Sequence, residues 1–318
     1  MRRTRWALLA LLALPAAAMG GAALQRPERN EPILPLPAAR VADARKVSLG
    51  EALFGDPRLS GGGKVSCSSC HDLGSNGATP RRRDVGDSGR VLTFNTPTVF
   101  NAAHRFRLNW EGKVPSVAAL VESSLRHPDL MGAADDAVIE RLARDAALAG
   151  QFGDVYGRTP DRAAVVEALG AYVASLRTPD SPFDRWLAGD PAAIGPQEAR
   201  GYRLFRSIGC AACHQGANVG ANLHQRHGIF APLASPTPEL LRVPSLRNVA
   251  VTAPYFHDGS TETLDQAVRE MGRAQLDRDL EPADVDDIVA FLCSLTGRYR
   301  GEPLRPPAGS ARNCAAAP

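Results

Sequence analysis

Cys67, Cys70 and His71 form a CxxCH motif, and Cys210, Cys213 and His214 repeat it in the second half of the 318-residue chain. Two thiols at this spacing reach the two vinyl groups of one porphyrin, and the imidazole that follows reaches its iron. A redox dithiol or half of a zinc site needs no histidine directly after the second cysteine. The repeat therefore points to two covalently attached haems and to redox chemistry shared between two irons. His71 and His214 are the expected proximal ligands, and the sixth position of each iron decides its role. A thioether there suits electron transfer, whereas an open position admits peroxide. Beyond the amino-terminal segment the thioethers are Met131 and Met271, and spacing alone does not distinguish either from a core methionine.

The amino end matches the compartment such attachment needs. Arg2, Arg3 and Arg5 precede a short apolar run, Trp6 to Leu14, and small residues follow to Ala23. This is the pattern of a cleaved secretory signal over about residues 1–23, and the run is too short to span roughly 30 Å of hydrocarbon. The mature protein is expected in a periplasm without stable membrane insertion. A formal charge of +3, and an Arg81 to Arg83 cluster followed by Asp84 and Asp87, give no case for nucleic acid. That cluster reads as a solvated loop or as a dock for an acidic electron donor. Of six cysteines, Cys293 and Cys314 are left over. An oxidising compartment permits a bridge between them, and free thiols in an apolar helix and an irregular tail are the alternative.

The elements that must position these residues read as mainly α, in two cytochrome c-like haem domains with long loops. Residues 24–39 form an extended lead-in, 40–190 an amino-terminal domain and 191–318 a carboxyl-terminal one. Helical patterns are predicted over 40–54, 135–148, 162–176, 197–205 and 264–271, with Val285, Ile288, Val289, Leu292 and Leu295 on a terminal helical face. Breaks at 178–182 and 189–196 separate the halves. In each half a helix feeds a CxxCH, and no continuous strand pattern competes.

Longer strings carry a resemblance. LGEALFGDPRLS before SCSSCH, then NTPTVFNAA, NWEG, GCAACHQGANVG and VPSLRNVAVTAPYFHDGSTETLDQAV followed by MG resemble the bacterial dihaem cytochrome c peroxidase and MauG superfamily over nearly the whole mature chain. The resemblance implies that Met271 is the axial ligand of the carboxyl-terminal, high-potential haem, a place where MauG-like enzymes can carry Tyr. It implies that Trp110 lies between the haems as a relay, although a packed indole with its N–H satisfied is the plainer role. It also implies an interdomain calcium ion held by Asn95, Thr252 and Pro254, partly through carbonyl oxygens, which suit a hard cation.

The departures bear on function. Many relatives have a displaceable His before NTPT, and the loop GATPRRRDVGDSGRVLTF has none. The Gln and Glu expected over the peroxide site fall, by counting from Trp110, on Leu120 and Leu130, which cannot move a proton. Peroxide cleavage needs that transfer, worth roughly 10² to 10⁴ in rate. His104, Glu111, Glu122, His127 and Asp129 are substitutes nearby in sequence, with His127 nearest the missing acid and simple solvent exposure its rival reading. His257 in YFHDG reads as interdomain support, and His224 and His227 have no assigned role. The implied function is a hydrogen peroxide-dependent oxidoreductase reacting at the His71 haem, drawing on a small periplasmic donor protein. One alternative is a MauG-like enzyme that oxidises an aromatic residue of a partner protein; another is a dihaem electron-transfer cytochrome without enzymatic activity.

Overall fold

The structure, a computed structural model, describes residues 31–39, 41–309 and 314. The expected signal segment lies outside the described residues. From Pro32 onward the chain forms one compact unit built around two hydrophobic cores.

The amino-terminal core is a helix pair with additions. α1 (Ala44–Phe54) starts at Asp43, whose carboxylate caps the Arg45 N–H, and buries Leu49, Gly50, Leu53 and Phe54 against α5 (Arg162–Ser175). Gly50 permits the crossing, because a Cβ there would lie 2.1 Å from the Ala168 carbonyl oxygen. Around this pair pack α2 (Val117–Arg126), α3 (Ala137–Ala143) and α4 (Ala146–Tyr156). The carboxyl-terminal core repeats the arrangement after the short α6 (Pro182–Leu187). There α7 (Pro196–Ser207) crosses α9 (Pro282–Cys293) at Gly201, whose Cβ would fall 1.8 Å from the Asp287 carbonyl oxygen, and α8 (Leu264–Leu276) packs on α9. Extended structure among the described residues amounts to isolated bridges and two antiparallel pairs: β1 (His224–Arg226) with β2 (Leu240–Arg242), and β3 (Arg298–Tyr299) with β4 (Glu302–Pro303).

One hydrogen-bonded knot shows the repeat at residue level. Asn101 and Asn248 both adopt left-handed backbone (φ 59° and 63°), and each donates its amide to the single hydroxyl of Thr178, at 2.7 and 2.9 Å. Asn101 N–H donates to Leu176 and Asn248 N–H to Leu295, the residues just past α5 and α9. Asn tolerates this conformation better than most residues. Nearby, Arg247 donates both guanidinium arms to Asp184 at 2.8 and 2.9 Å, with the Arg247 side chain 1% exposed.

Several expectations need correcting. The helix expected over 135–148 is two, because Asp145 turns away after α3 and its carboxylate accepts the Ala147 and Leu148 N–H groups that open α4. α2, capped by Ser116, and α6, capped by Ser181, were not expected as helices. Cys293 and Cys314 are bridged, so neither is a free thiol. Of the lead-in, Ile33 is fully buried in the carboxyl-terminal core and bridges to Gly216. The arginine cluster is exposed, as a solvated loop would be, while Arg81 pairs with the buried Asp84 and Arg82 donates to the Asp258 carbonyl oxygen at 3.0 Å.

Candidate functional site

Each CxxCH closes a single tight helical turn. Cys67 O accepts from the Cys70 and His71 N–H groups at 3.2 and 2.9 Å, and Cys210 O accepts from Cys213 and His214 at 3.2 and 3.0 Å. The thiols at 67, 70, 210 and 213 are unbridged. Burial pushes the Cys67 and Cys210 thiols up to about 12 and Cys70 up to about 11, the opposite of the depressed thiol of a dithiol oxidoreductase. His71 Nδ1 lies 3.0 Å from the Gly77 carbonyl oxygen, and His214 Nδ1 lies 3.3 Å from that of Val219. A backbone acceptor on Nδ1 fixes the tautomer and leaves Nε2 to bind a metal. Burial lowers both imidazoles below their usual value, His214 to about 4, which keeps them neutral as ligands must be. Gly220 makes room on the Nδ1 side of His214: its φ is +122°, and a Cβ would fall 2.3 Å from the Pro244 carbonyl oxygen and 3.1 Å from His214 Nδ1.

A cavity of about 270 Å³ opens beside His214, with Cys210, Cys213, Phe205 and Met271 in its wall. The wall also carries two guanidinium groups that the sequence reading did not single out. Arg242 is 2% exposed and donates to the carbonyl oxygens of Asn109 and Val243. Arg105 donates to those of Thr98 and Phe100, and its buried Nε has no partner. Among the described residues no carboxylate bonds to either. Burial, then repulsion from Arg242, pulls Arg105 down to about 9, and burial pulls Arg242 down to about 10. Burying unpaired cations is costly, so this wall is built for an anion. A haem would fit this lining: the paired thiols would take its vinyl groups, His214 would face its iron with Met271 in the same wall, and Arg105 and Arg242 would meet its carboxylates.

Trp110 lies in the same wall and donates its indole N–H to the Asn95 carbonyl oxygen at 2.7 Å. His257 packs on it with ring centroids 6.3 Å apart, and His257 O accepts the Asn95 N–H. The His257 backbone thus ties the YFHDG string to the NTPT string. Asn95, Thr252 and Pro254 also reach this cavity. The Asn95 amide nitrogen donates to the Arg81 and Arg82 carbonyl oxygens, which turns Oδ1 the other way. Among the described residues no cluster of three His, Cys, Asp or Glu side chains is placed to hold a metal. An ion at this point would rest on amide and carbonyl oxygens.

Leu120, on α2, and Leu130 are half-buried against the amino-terminal core. The nearby substitutes are otherwise engaged. His127 is exposed at the end of α2 and accepts the Asp129 N–H on Nδ1. Glu111 pairs with Lys113, Glu122 with Arg126, and Asp129 with Arg90. His104 Nε2 accepts from Arg177 at 3.1 Å. His224 packs onto Gly112, where a Cβ would meet its ring, and His227 lies between the Leu233 and Pro238 carbonyl oxygens.

Two helix-crossed cores, each carrying a CxxCH with its imidazole held by a backbone carbonyl, define a dihaem c-type cytochrome architecture. The family model for the di-haem cytochrome c peroxidases matches residues 44–192, and that for cytochrome c matches 198–296. The chain is 38% identical over 289 residues to cytochrome c peroxidase Ccp of Escherichia coli, covering 85% of this chain and 62% of that protein. It is 36% identical to cytochrome c551 peroxidase of Nitrosomonas europaea, covering 84% and 85%. A solved MauG-like protein associated with microbial copper homeostasis superposes with a TM-score of 0.72 at 25% identity, covering 82% and 93%. The chain belongs to the bacterial dihaem cytochrome c peroxidase and MauG superfamily. It is a dihaem, hydrogen peroxide-dependent oxidoreductase of the cytochrome c peroxidase kind. Among the described residues no helix is long and apolar enough to cross a membrane.

Proposed function

We propose that peroxide is taken up at the His71 site, that the His214 and Met271 site is its electron-transfer partner, and that Trp110 couples the two. When bound, the haems supply the redox chemistry at both sites. The observation that carries this division is that His214 and Met271 face one cavity, so a thioether is at hand for the second site. The Trp110 N–H is already satisfied by Asn95 O, which fixes the ring in the wall of that cavity. Arg105 and Arg242 hold the cofactor's carboxylates there and exclude water from its edge. Asn95, Thr252 and Pro254 offer oxygen ligands to a calcium ion beside Trp110. Electrons come from a small periplasmic donor protein. The Cys293–Cys314 bridge supports an oxidising compartment.

The second reading is a MauG-like oxidation of an aromatic residue, such as Trp, on a partner protein. It draws support from Leu120 and Leu130 in place of a proton-transfer pair, from the absence of His in the 77–94 loop, and from the likeness to the MauG-like structure. His127, the imidazole nearest the missing acid in sequence, is the side chain we assign to proton delivery.

Intact mass measurement of candidate periplasmic proteins after treatment with holoprotein and peroxide decides between the readings. A stable mass gain on a partner selects protein modification; oxidation of a reduced small cytochrome with no mass gain selects the peroxidase reaction. Trp110→Phe, with both haems attached, is expected to slow peroxide consumption fed from the carboxyl-terminal site by about tenfold, a barrier rise of about 1.4 kcal/mol. An unchanged rate removes Trp110 from the path.

A further inference from the structure

A row of rings leads away from His71 and does not include Trp110. Phe54, on α1, lies 6.3 Å from the His71 ring, centroid to centroid. Tyr172, on α5, meets Phe54 edge-on at 5.3 Å. Tyr172 is 3% exposed, and Tyr299, on β3, shares a cavity with it and packs at a tilt on Phe100 at 4.9 Å. Tyr172 and Tyr299 both line a second cavity of about 370 Å³, together with Glu51, Arg177 and Arg300. Arg300 lies over the Tyr299 ring at 5.2 Å and pairs with Glu51 at 2.5 Å. Burial, followed by the neighbouring Tyr299, raises the Tyr172 phenol above its usual value, so Tyr172 stays protonated at rest. The haem mechanism uses none of these groups. A phenylalanine could fill either tyrosine position by packing alone, yet two tyrosines line one cavity.

We propose that Phe54, Tyr172 and Tyr299 form a second electron path, which carries one-electron oxidation from the His71 site to the Tyr299 cavity, where a small phenol with an anionic substituent is oxidised. The inference rests on peroxide being consumed at the His71 site. The chemistry balances. One hydrogen peroxide takes up two electrons and two protons to give two waters. Each electron leaving Tyr299 through Tyr172 is accompanied by loss of the Tyr299 hydroxyl proton to the cavity, where the Glu51 carboxylate can accept it. A phenol in the cavity then returns one electron and one proton to Tyr299 and departs as its phenoxyl radical. Two phenols oxidised in turn balance one peroxide. Arg177 and Arg300 in the wall suit the anionic substituent, and the close ring contacts keep each step short.

The test uses diferric holoprotein, stoichiometric peroxide and the spin trap 2-methyl-2-nitrosopropane, with the adduct located by peptide mass mapping and peroxide consumption followed separately. The expected result is a peroxide-dependent adduct on Tyr299 that falls at least about tenfold in Tyr172→Phe, although Tyr299 is intact, and that 4-hydroxyphenylacetate suppresses. No adduct on Tyr299, or equal adduct in Tyr172→Phe, with peroxide consumed in both, overturns the path and leaves the proposed function standing. If the protein consumes no peroxide, the proposed function fails and this inference fails with it. Tyr299→Phe supplies the matching control, in which trapping at position 299 must vanish.

Discussion

The two haem-binding regions share a local design and differ in what faces the imidazole. Both fold CxxCH into one helical turn, both hold the histidine by a backbone carbonyl, and both rest on a helix crossing that only glycine permits, Gly50 in one and Gly201 in the other. Around His214 the chain supplies a methionine, two buried guanidiniums and an indole. On the amino-terminal side the positions set by counting from Trp110 carry Leu120 and Leu130, and rings run from His71 to a surface cavity. Attachment is therefore generic to the fold, and the proposed division of labour rests on the surroundings of each imidazole.

The hardest blow to the comparison is to remove one site. Cys210→Ser with Cys213→Ser is expected to leave one covalent haem per chain, halving the pyridine haemochrome absorbance, with the remaining haem on the peptide containing His71. Next in size is a pair of methionine variants. Met271→Ala is expected to abolish the ligand-sensitive near-infrared absorption of the second haem. Met131→Ala, at a residue 4% exposed in the amino-terminal core, should instead lower stability by about 2–5 kcal/mol and leave that absorption unchanged. The reverse pattern would reassign the thioether.

A gain of function sharpens the other side. Leu130→Glu restores a group able to move a proton and is expected to raise the rate of reaction with peroxide, within the roughly 10² to 10⁴ that such a group contributes. A rate unchanged in stopped-flow mixing would mean that Leu130 does not face the reacting oxygen.

The smallest effect concerns the loop before Cys67. Asp87 is buried, which alone would raise its pKa, but donation from Gly62 N–H at 2.7 Å, Ser60 Oγ at 2.8 Å and Lys64 N–H at 3.2 Å outweighs that and lowers it. A carboxyl depressed in the folded state contributes stability that is full above its unfolded pKa, about 4, and is lost as pH falls through the folded value. Thermal melts should therefore show Asp87→Asn destabilised by about 1.5–3 kcal/mol at pH 7, with the gap to wild type closing in acid. An equal gap at all pH values would show that the charge of Asp87 contributes nothing.

Much of this architecture was legible in the sequence where a single local rule operates. The CxxCH turns follow from spacing, and α5 and α9 follow from apolar residues at helical period. α3 and α4 read as one helix because their apolar positions run on in phase across Asp145, and the cap that splits them is a side-chain hydrogen bond that periodicity does not register. Arg105 and Arg242 were not legible at all. Each looks like an ordinary surface arginine, and each is buried by segments far away in sequence, as when Arg242 donates to Asn109 O. An apolar run could have hinted at the Ile33 anchor, but its partner Gly216 lies beyond the second CxxCH turn.

The most direct test of unequal haems is electron paramagnetic resonance of the diferric holoprotein at rest, beside Met271→Ala. The account predicts one high-spin signal from the His71 site and one low-spin signal from the His214 and Met271 site, with only the latter altered in the variant. Two low-spin signals in the wild type, with the His71 signal insensitive to added azide, would contradict it.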